Sequence, residues 1–241
     1  MFVMAAWVLP EHNVMTGQSK ITYSHLEKMG AYNKGLAAFK QEYPVEKYPE
    51  GIAYQDVLDW CAEKNHTFGV WLFTKLGSTE DVRIFNKYVD DPRKTIIFPG
   101  SIKFKYGVQV RTIFVGRNIE AYYSIKADSS IEAGGSVKTR GHIEAGFDIK
   151  AGGNIRAGTW VKADLMNIEV GGNIEADGSI EAGSGIEAGG YIKAGEDYGV
   201  FAGLRTPVSC WPQRAKVIAK EQPKNLMTGY WAKTNKLDDE I

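Results

Sequence analysis

The chain has 241 residues, and its 29 basic residues balance its 29 acidic residues. This length suits one large domain or two modest ones, and the zero formal charge gives no sign of a nucleic-acid or anionic-membrane partner. Two cysteines, Cys61 and Cys210, are too few for a disulfide framework. No apolar run reaches the length of a membrane span, and no basic segment precedes the apolar Met1–Pro10, so we expect a cytoplasmic protein.

Residues 1–93 are predicted to form a mainly helical N-terminal domain. Met1–Pro10 is expected to be a short strand or an apolar arm that docks on the rest of the chain. Apolar residues then recur at steps of three or four, in segments separated by Pro and Gly, which predicts four helices. Their ranges are Thr22–Tyr43, Tyr54–Asn65, Phe68–Leu76 and Glu80–Tyr88, with Gly77 as a stop after the third.

Aromatic residues are concentrated in this domain, and tryptophan returns near the C-terminus. The simplest interpretation is that they pack between small helices, as large apolar side chains do. The alternative is an exposed groove that binds another protein. Under that alternative the candidate partner-binding residues are Trp7, Trp60, Trp71, Phe73 and Trp211.

Two stretches within residues 94–112 have the character of strands. Lys94–Phe98 contains β-branched residues, and in Ile102–Val110 apolar residues alternate with others. We expect these strands to cap the N-terminal end of a solenoid, where an unpaired rung would otherwise be an exposed strand edge.

A six-residue phrase recurs from Ile113 to Gly203. Each phrase begins with an aliphatic residue, followed by a charged residue, usually Ala, and then Gly or Asp, as in Ile131-Glu132-Ala133-Gly134. Alternate side chains of a strand face opposite ways, so the aliphatic residue and Ala should point inward and the charge outward. A glycine-rich bend should follow, where we expect glycine to supply positive φ angles. Such hexads form the sides of a parallel β-helix.

The charged residues predict how many hexads form one coil. If three hexads form a coil, each charge lies opposite the one three hexads later, and eight of the ten resulting pairs have opposite signs. Opposite charges on neighbouring strands are favourable, and two or four hexads per coil give a smaller share of opposite pairs. We therefore predict a three-sided coil of 18 residues, with about five coils over 113–203. The extra residue in Asp164–Asn167 should be a bulge at a corner.

Residues 204–241 should form a C-terminal cap and a polar tail. The predicted fold class is therefore α+β: a small helical domain, a three-sided parallel β-helix and a cap. The hexads resemble the short-repeat β-helices of bactofilin-type, polymer-forming proteins and of bacterial and phage β-solenoid proteins. They differ from hexapeptide acyltransferases, whose small residue lies two places before the aliphatic one. The resemblance covers 113–203 alone and implies a fold and a non-enzymatic role.

The residues give little sign of catalytic, metal or cofactor chemistry. None of the four histidines has zinc-site spacing, and no Lys-Ser/Thr follows the recurrent Gly pairs as in a phosphate loop. We therefore expect no metal and no cofactor. His142 is the one histidine within the repeat, and a hexapeptide acyltransferase would need such a base beside an acyl-CoA cleft. The simpler interpretation is a solvated corner residue.

These observations favour a non-enzymatic protein-binding or scaffold protein, in which a rigid solenoid presents interaction domains to another protein. The partner would be a host protein or a second copy of the chain, which would make it a homo-oligomer. An inhibitor of a host-defence protein, encoded by a phage or mobile element, is one version of this hypothesis. The alternatives are a hexapeptide-type acyltransferase that uses His142 and a polymer-forming structural protein.

Overall fold

The computed structural model describes residues 16–233, so the predicted arm Met1–Pro10, with Trp7, lies outside the described residues. A small helical domain comes first. Its two-stranded antiparallel sheet pairs Lys20–Ile21 (β1) with Ile52–Ala53 (β2). Its helices are Tyr23–Lys28 (α1), Asn33–Glu42 (α2), Tyr54–Lys64 (α3) and His66–Leu76 (α4).

Two of the four predicted helices are confirmed, as α3 and α4, and α4 ends at Gly77 as expected. The single helix predicted over Thr22–Tyr43 is wrong, because Gly30 has a φ of 77° and separates α1 from α2. The helix predicted over Glu80–Tyr88 is also wrong. Val82–Phe85 is a strand (β3), whose Phe85 ring stacks on Phe104 at 4.9 Å, so tertiary packing overrides the local spacing.

The rest of the chain forms a parallel β-solenoid that begins with β3. Two helical turns interrupt it near the C-terminus, a 3-10 turn at Val208–Cys210 and a short helix at Trp211–Arg214 (α5). The remaining strands are Val89–Phe98 (β4), Ser101–Phe104 (β5), Val108–Val115 (β6), Ile119–Ala121 (β7), Ile125–Ala127 (β8), Ile131–Ala133 (β9), Val137–Thr139 (β10), Ile143–Ala145 (β11), Ile149–Ala151 (β12), Ile155–Ala157 (β13), Val161–Ala163 (β14), Ile168–Val170 (β15), Ile174–Ala176 (β16), Ile180–Ala182 (β17), Ile186–Ala188 (β18), Ile192–Lys193 (β19), Val200–Phe201 (β20), Lys216–Ala219 (β21), Leu226–Thr228 (β22) and Tyr230–Lys233 (β23).

The chain winds around three faces, and each strand pairs in parallel with the strand one coil away. The first face holds β3, β5, β7, β10, β13, β16 and β19; the second β4, β6, β8, β11, β14, β17, β20 and β22; the third β4, β6, β9, β12, β15, β18, β21 and β23, since β4 and β6 each run through both the second and the third face. The predicted three-sided coil is confirmed, because Val137 pairs with Ile119 below it and Ile155 above it. All ten predicted charge pairs are direct register partners.

The solenoid is longer than the repeat that revealed it, with about eight turns. At the N-terminal end Ile102 pairs with Ile119, and at the C-terminal end Val217 pairs with Ile186, in the register of the hexads. The segments 94–112 and 204–233, expected as caps, therefore continue the coil. The extra residue in Asp164–Asn167 lies in the corner between β14 and β15, as predicted.

A ladder of aliphatic side chains fills the solenoid, and a separate cluster fills the helical domain. The inward isoleucines and valines of the repeat are almost fully buried, with alanines beside them. The two cores meet at Ile97 of β4 and Phe114 of β6, which occupy outward positions of the third face. Phe114 pairs in register with Glu132, so the helical domain docks where the repeat would otherwise place a charge. Arg83 and Asp59 add an ion pair of 3.1 Å across the same joint.

The corner glycines serve a purpose other than the one predicted. Among the described residues the glycines with positive φ are Gly30, Gly51, Gly77, Gly203 and Gly229, and of these only Gly203, which ends the last phrase, lies in a hexad corner. A Cβ added to Gly152 would lie 2.1 Å from the carbonyl oxygen of Gly134 one coil below. The stacked corners approach too closely for a side chain, so close approach explains these glycines better than backbone conformation.

Candidate binding surface

Two predicted partner-binding residues of the helical domain, Trp60 and Trp71, lie in a shared aromatic cluster. The Trp71 ring stacks on Phe68 at 5.4 Å, and the Trp60 ring contacts Tyr43 edge-on at 5.7 Å. Both tryptophans are half-buried. Most of their contact surface is therefore used within the domain, as the simpler interpretation predicted, and each leaves only part of its ring to solvent.

The other two described candidates lie apart from that cluster. Phe73 is 5% exposed, and its ring packs edge-on against Phe114 at 4.9 Å, so it belongs to the joint between helical domain and solenoid. Trp211 is half-buried at the C-terminal end, where its indole N–H donates to the Thr206 carbonyl at 3.0 Å. The structure therefore does not bring the predicted residues together into one surface, and Trp7 lies outside the described residues.

A shallow apolar groove of about 230 Å³ lies on the helical domain, beside β1 and β2. Its walls include the tyrosines Tyr23, Tyr43 and Tyr48. Burial is the main cause that raises the pKa of Tyr43 to about 12, so its hydroxyl is neutral at physiological pH. The groove offers apolar contact and hydroxyl groups but no charged group.

One corner of the solenoid differs from the other two, and we call it the aromatic edge. It joins the first face to the second, and successive coils place large aromatic residues there. Each of its tyrosines is about half exposed, from 47% for Tyr122 to 55% for Tyr123. Elsewhere in the described coils the exposed rings are Phe147, Tyr191 and Tyr230, which lie apart from one another. The members of the edge are Tyr88, Tyr106, Tyr122, Tyr123, His142, Trp160 and Tyr198.

The rings of the aromatic edge contact one another across coils. Tyr106 stacks on Tyr123 at 6.4 Å, and Tyr123 meets Tyr122 edge-on at 5.0 Å. The guanidinium of Arg140 lies over the Tyr122 ring at 4.5 Å, one coil further along. His142 and Trp160 then stack in parallel planes at 4.2 Å. These contacts hold the rings in place and leave their outer edges in solvent.

His142 has partners on both ring nitrogens. Its Nδ1 lies 2.9 Å from the hydroxyl of Ser124, one coil below, and its Nε2 lies 3.9 Å from a carboxylate oxygen of Glu144. Burial, to which the stacked Trp160 ring contributes, lowers the pKa of His142, although Glu144 opposes the shift. The imidazole is therefore neutral at pH 7 and able to accept a proton.

A group of cations adjoins the aromatic edge on the first face, and we call it the basic notch. It consists of Lys138, Arg140 and Arg156, which line a shallow cavity of about 480 Å³ together with Thr139, Gly158 and Asp177. Lys138 and Arg156 are direct register partners, so two positive charges stack on neighbouring strands. This pair is one of the two like-charged pairs that the repeat predicts.

The six-residue period of the repeat does not reveal the aromatic edge. At this period the tyrosines of Asn118-Ile119-Glu120-Ala121-Tyr122-Tyr123 count only as irregular corner residues. Written in coils of 18 residues, the same sequence places Tyr106, His142 and Trp160 in one column, with Tyr123 in the adjacent column. The signal was therefore present, but the coil length had to be applied to the corners as well as to the charges.

In comparisons with known proteins, no family model, no curated protein and no solved structure matches the chain. Within residues 16–233 no cluster of His, Cys, Asp and Glu has the arrangement of a metal site. No helix in this part of the chain is long and apolar enough to cross a bilayer. Cys61 and Cys210 are both unbridged.

Proposed function

We propose that this protein is a non-enzymatic binding protein, whose rigid solenoid presents the aromatic edge to another protein. The observation that carries the proposal is the unequal use of the three corners. Two corners are built mostly from Gly, Ser, Asn and Asp, whereas the third displays a column of half-exposed rings beside Arg140. A contiguous patch of exposed apolar side chains commonly marks a site where another molecule binds.

The chemistry of the edge matches that of protein recognition. Tyr, Trp and Arg are the residues most enriched among those that dominate binding energy at protein interfaces. Tyrosine offers a large amphipathic contact area with little loss of side-chain entropy. The parallel strands beneath it supply a rigid support, so little ordering is needed upon binding.

The test is a paired set of alanine variants measured against the partner that cross-linking in native lysate identifies. Tyr122→Ala combined with Tyr123→Ala should raise the dissociation constant about tenfold or more, because truncation of central aromatic residues has effects of this size. Phe147→Ala removes an equally exposed ring from a different corner and should change binding less than about twofold. Equal effects of the two changes, or no effect of the tyrosine pair, would contradict the proposal.

The class of partner stays a prediction. In one version of the proposal the partner is a host-defence protein, and this chain is its phage- or mobile-element-encoded inhibitor. The test above should first be made with such a partner. A second copy of the chain is the other version. Light scattering over a concentration series separates them, since a self-associating edge gives a dimer that the tyrosine variants abolish.

Acyl transfer is a second candidate function, favoured by the contact between Ser124 and His142. A hydroxyl at 2.9 Å from a neutral imidazole, with Glu144 beyond it, has the order of nucleophile, base and orienting carboxylate. The Glu144 distance of 3.9 Å is too long for a hydrogen bond, and the backbone N–H of His142 also approaches the Ser124 hydroxyl, at 3.3 Å. Thermal stabilisation by acetyl-CoA, lost in Ser124→Ala and His142→Asn, would support this function over binding alone.

Polymer formation is a third candidate, favoured by the strand edges at the two ends of the solenoid. Among the described residues β3 and β4 pair on one side only, and so do β22 and β23. Val82 and Ile84 on β3 are about half exposed. Electron microscopy of the purified chain should show filaments if the ends stack, and discrete particles if the aromatic edge is the main interface.

A further inference from the structure

The basic notch contains the one pair of positive charges among the ten register pairs of the repeat. Lys126 and Lys150, on the second and third faces, each have a carboxylate within 4 Å, at 3.5 and 3.2 Å. Lys138 has none within the described residues, and its register partner Arg156 reaches Glu175 only at 3.8 Å. Like charges on directly opposed strand positions destabilise a sheet. A local cost of this kind is compensated when an anion binds between the two charges.

Arg140 is held in a way that suits anion binding. The Tyr122 ring covers one face of its guanidinium at 4.5 Å, and no carboxylate of the described residues forms an ion pair with it. Stacking uses the face of a guanidinium and leaves its in-plane N–H groups available as donors. These donors match the two oxygens of a carboxylate in a bidentate pair.

The floor and rim of the notch are small and polar. Gly158 lies one coil above Arg140, and a Cβ added to it would lie 2.2 Å from the Arg140 carbonyl oxygen, so this part of the rim admits no side chain. Thr139 replaces the alanine found at the same inward position in the neighbouring coils, and its hydroxyl accepts from the Gly141 N–H at 3.2 Å. Asp177 closes the far side with the one negative charge among the lining residues.

We infer that the basic notch binds the carboxylate side chains of an acidic segment in the protein partner, next to the rings of the aromatic edge. This inference rests on the proposed binding function and names the chemistry of the partner. Lys138, Arg140 and Arg156 supply the positive charges, and Arg140 supplies the bidentate contact. Tyr122, which orients Arg140, belongs to both surfaces and joins them.

A short acidic segment suits the surroundings better than a nucleic acid does. Glu120 and Glu175 flank the Lys138–Arg156 pair in the same column of the first face. A continuous chain of phosphates that follows this face would meet both carboxylates, and the chain as a whole has no net charge to attract it. One or two carboxylates fit between these acidic neighbours.

The inference is tested with the full chain and synthetic peptide probes. A peptide with several glutamates is compared by NMR titration with the same peptide containing glutamine, with a short oligothymidine and with inorganic phosphate. The glutamate peptide should shift the Nε–H signals of Arg140 and Arg156, and the glutamine peptide should not. In the variant Lys138→Gln/Arg140→Gln its affinity should fall about tenfold or more, since charge-assisted hydrogen bonds are lost.

Two control variants separate specific binding from general attraction. Lys193→Gln removes one positive charge from the same face two coils beyond Arg156 and should change affinity less than about twofold. Arg140→Lys keeps the charge but loses the planar fork, and it should still weaken binding several-fold. Equal losses in Lys193→Gln and the notch variant, or no preference for glutamate over glutamine, would overturn the inference.

The remaining outcomes point to other ligands or to a different failure. Preferential binding of oligothymidine would assign the notch to nucleic acid, and preferential binding of phosphate would assign it to a small oxyanion; either result overturns the carboxylate assignment. If Tyr122→Ala/Tyr123→Ala abolishes binding to the cross-linked partner while the notch variant retains it, the binding function stands and this inference falls. If neither variant affects that partner, the binding function itself is wrong.

Discussion

Two corners of the same coil differ in how their side chains are used: one set supports the backbone, and for the other we propose a role in binding. The corner between the third and first faces, which we call the glycine-asparagine corner, contains Gly134–Ser136, Gly152–Asn154 and Gly171–Asn173. Its side chains satisfy the backbone of the next coil: the Asn118 Oδ1 accepts from the Ser136 N–H at 2.8 Å, and the Asn154 Oδ1 accepts from the Asn173 N–H at 2.7 Å. This row of side-chain hydrogen bonds to the backbone leaves few polar groups free to bind a partner.

At the aromatic edge the side chains are used in the opposite way. At Tyr122–Ser124, Arg140–His142 and Gly158–Trp160 the large side chains turn outward, and they contact each other more than they contact the backbone. A solenoid corner therefore needs only small residues or short polar groups to close. Large rings at such a position are therefore additional to the needs of the fold, which supports the proposed binding role.

The largest expected effect is at the glycine-asparagine corner. Gly152→Ala places a Cβ 2.1 Å from the Gly134 carbonyl oxygen and should lower the free energy of unfolding by about 3 kcal/mol, because neighbouring coils must separate. Chemical denaturation followed by the β-sheet circular dichroism signal measures the loss. Gly185→Ala, at the third corner, meets its nearest atom at 3.0 Å and should cost clearly less. Similar losses would show that close approach is not what requires glycine at position 152.

A smaller effect on stability is expected when a side-chain hydrogen bond of the glycine-asparagine corner is removed. Asn154→Ala removes the acceptor of the Asn173 N–H and should cost about 1 kcal/mol in the free energy of unfolding. Tyr123→Ala at the aromatic edge should cost less than about 0.5 kcal/mol, since its half-exposed ring supports no backbone group. The same denaturation experiment compares them. A Tyr123→Ala loss as large as that of Asn154→Ala would mean that the aromatic edge is structural after all.

The pH dependence of stability tests the stack of His142 on Trp160. Burial lowers the pKa of His142 in the folded state below its ordinary value of 6.5. The unfolded chain therefore binds the proton more tightly, so this contribution to stability is present above pH 6.5 and is lost as the pH falls below it. Trp160→Ala should bring the pKa of His142 back toward 6.5 and flatten that slope. NMR titration of the His142 ring measures the pKa, and Tyr123→Ala should leave it unchanged.

The smallest expected effect concerns the faces between the corners. Glu169 and Glu187 are register partners of like charge, and Lys150 pairs with Glu169 at 3.2 Å from the other side. Glu187→Lys should raise the free energy of unfolding by about 0.3 kcal/mol, because it makes the pair attractive. Glu187→Gln should give part of this gain, and high salt should remove the difference between them. A salt-independent gain would attribute the effect to something other than charge.

The sequence predicted the solenoid well because its determinants are local and repeated. An aliphatic residue every six positions and charges that alternate over 18 residues leave one arrangement in which both the core and the outer ladder are satisfied. The ends of the solenoid were harder to predict. Phe85 carries no hexad signature, and Ile102, which is followed by a charge and by Val108 six residues later, lacks the alanine and glycine of the repeat. Their contacts with Phe104 and Ile119 show that the coil continues through them.

For the candidate site too, some features follow from the sequence and others from the tertiary structure. The sequence alone determined the three-sided coil, the register of the ten charge pairs and the inward ladder of isoleucines, since a strand's two-residue period fixes which side chains face the core. Only the tertiary structure decided that Phe73 is buried against Phe114 and that Arg140 lies on Tyr122. It also decided that corners 18 residues apart in the chain align into one surface. These contacts join residues whose types follow no shared pattern, so their geometry follows from the stacking of coils and not from the repeat.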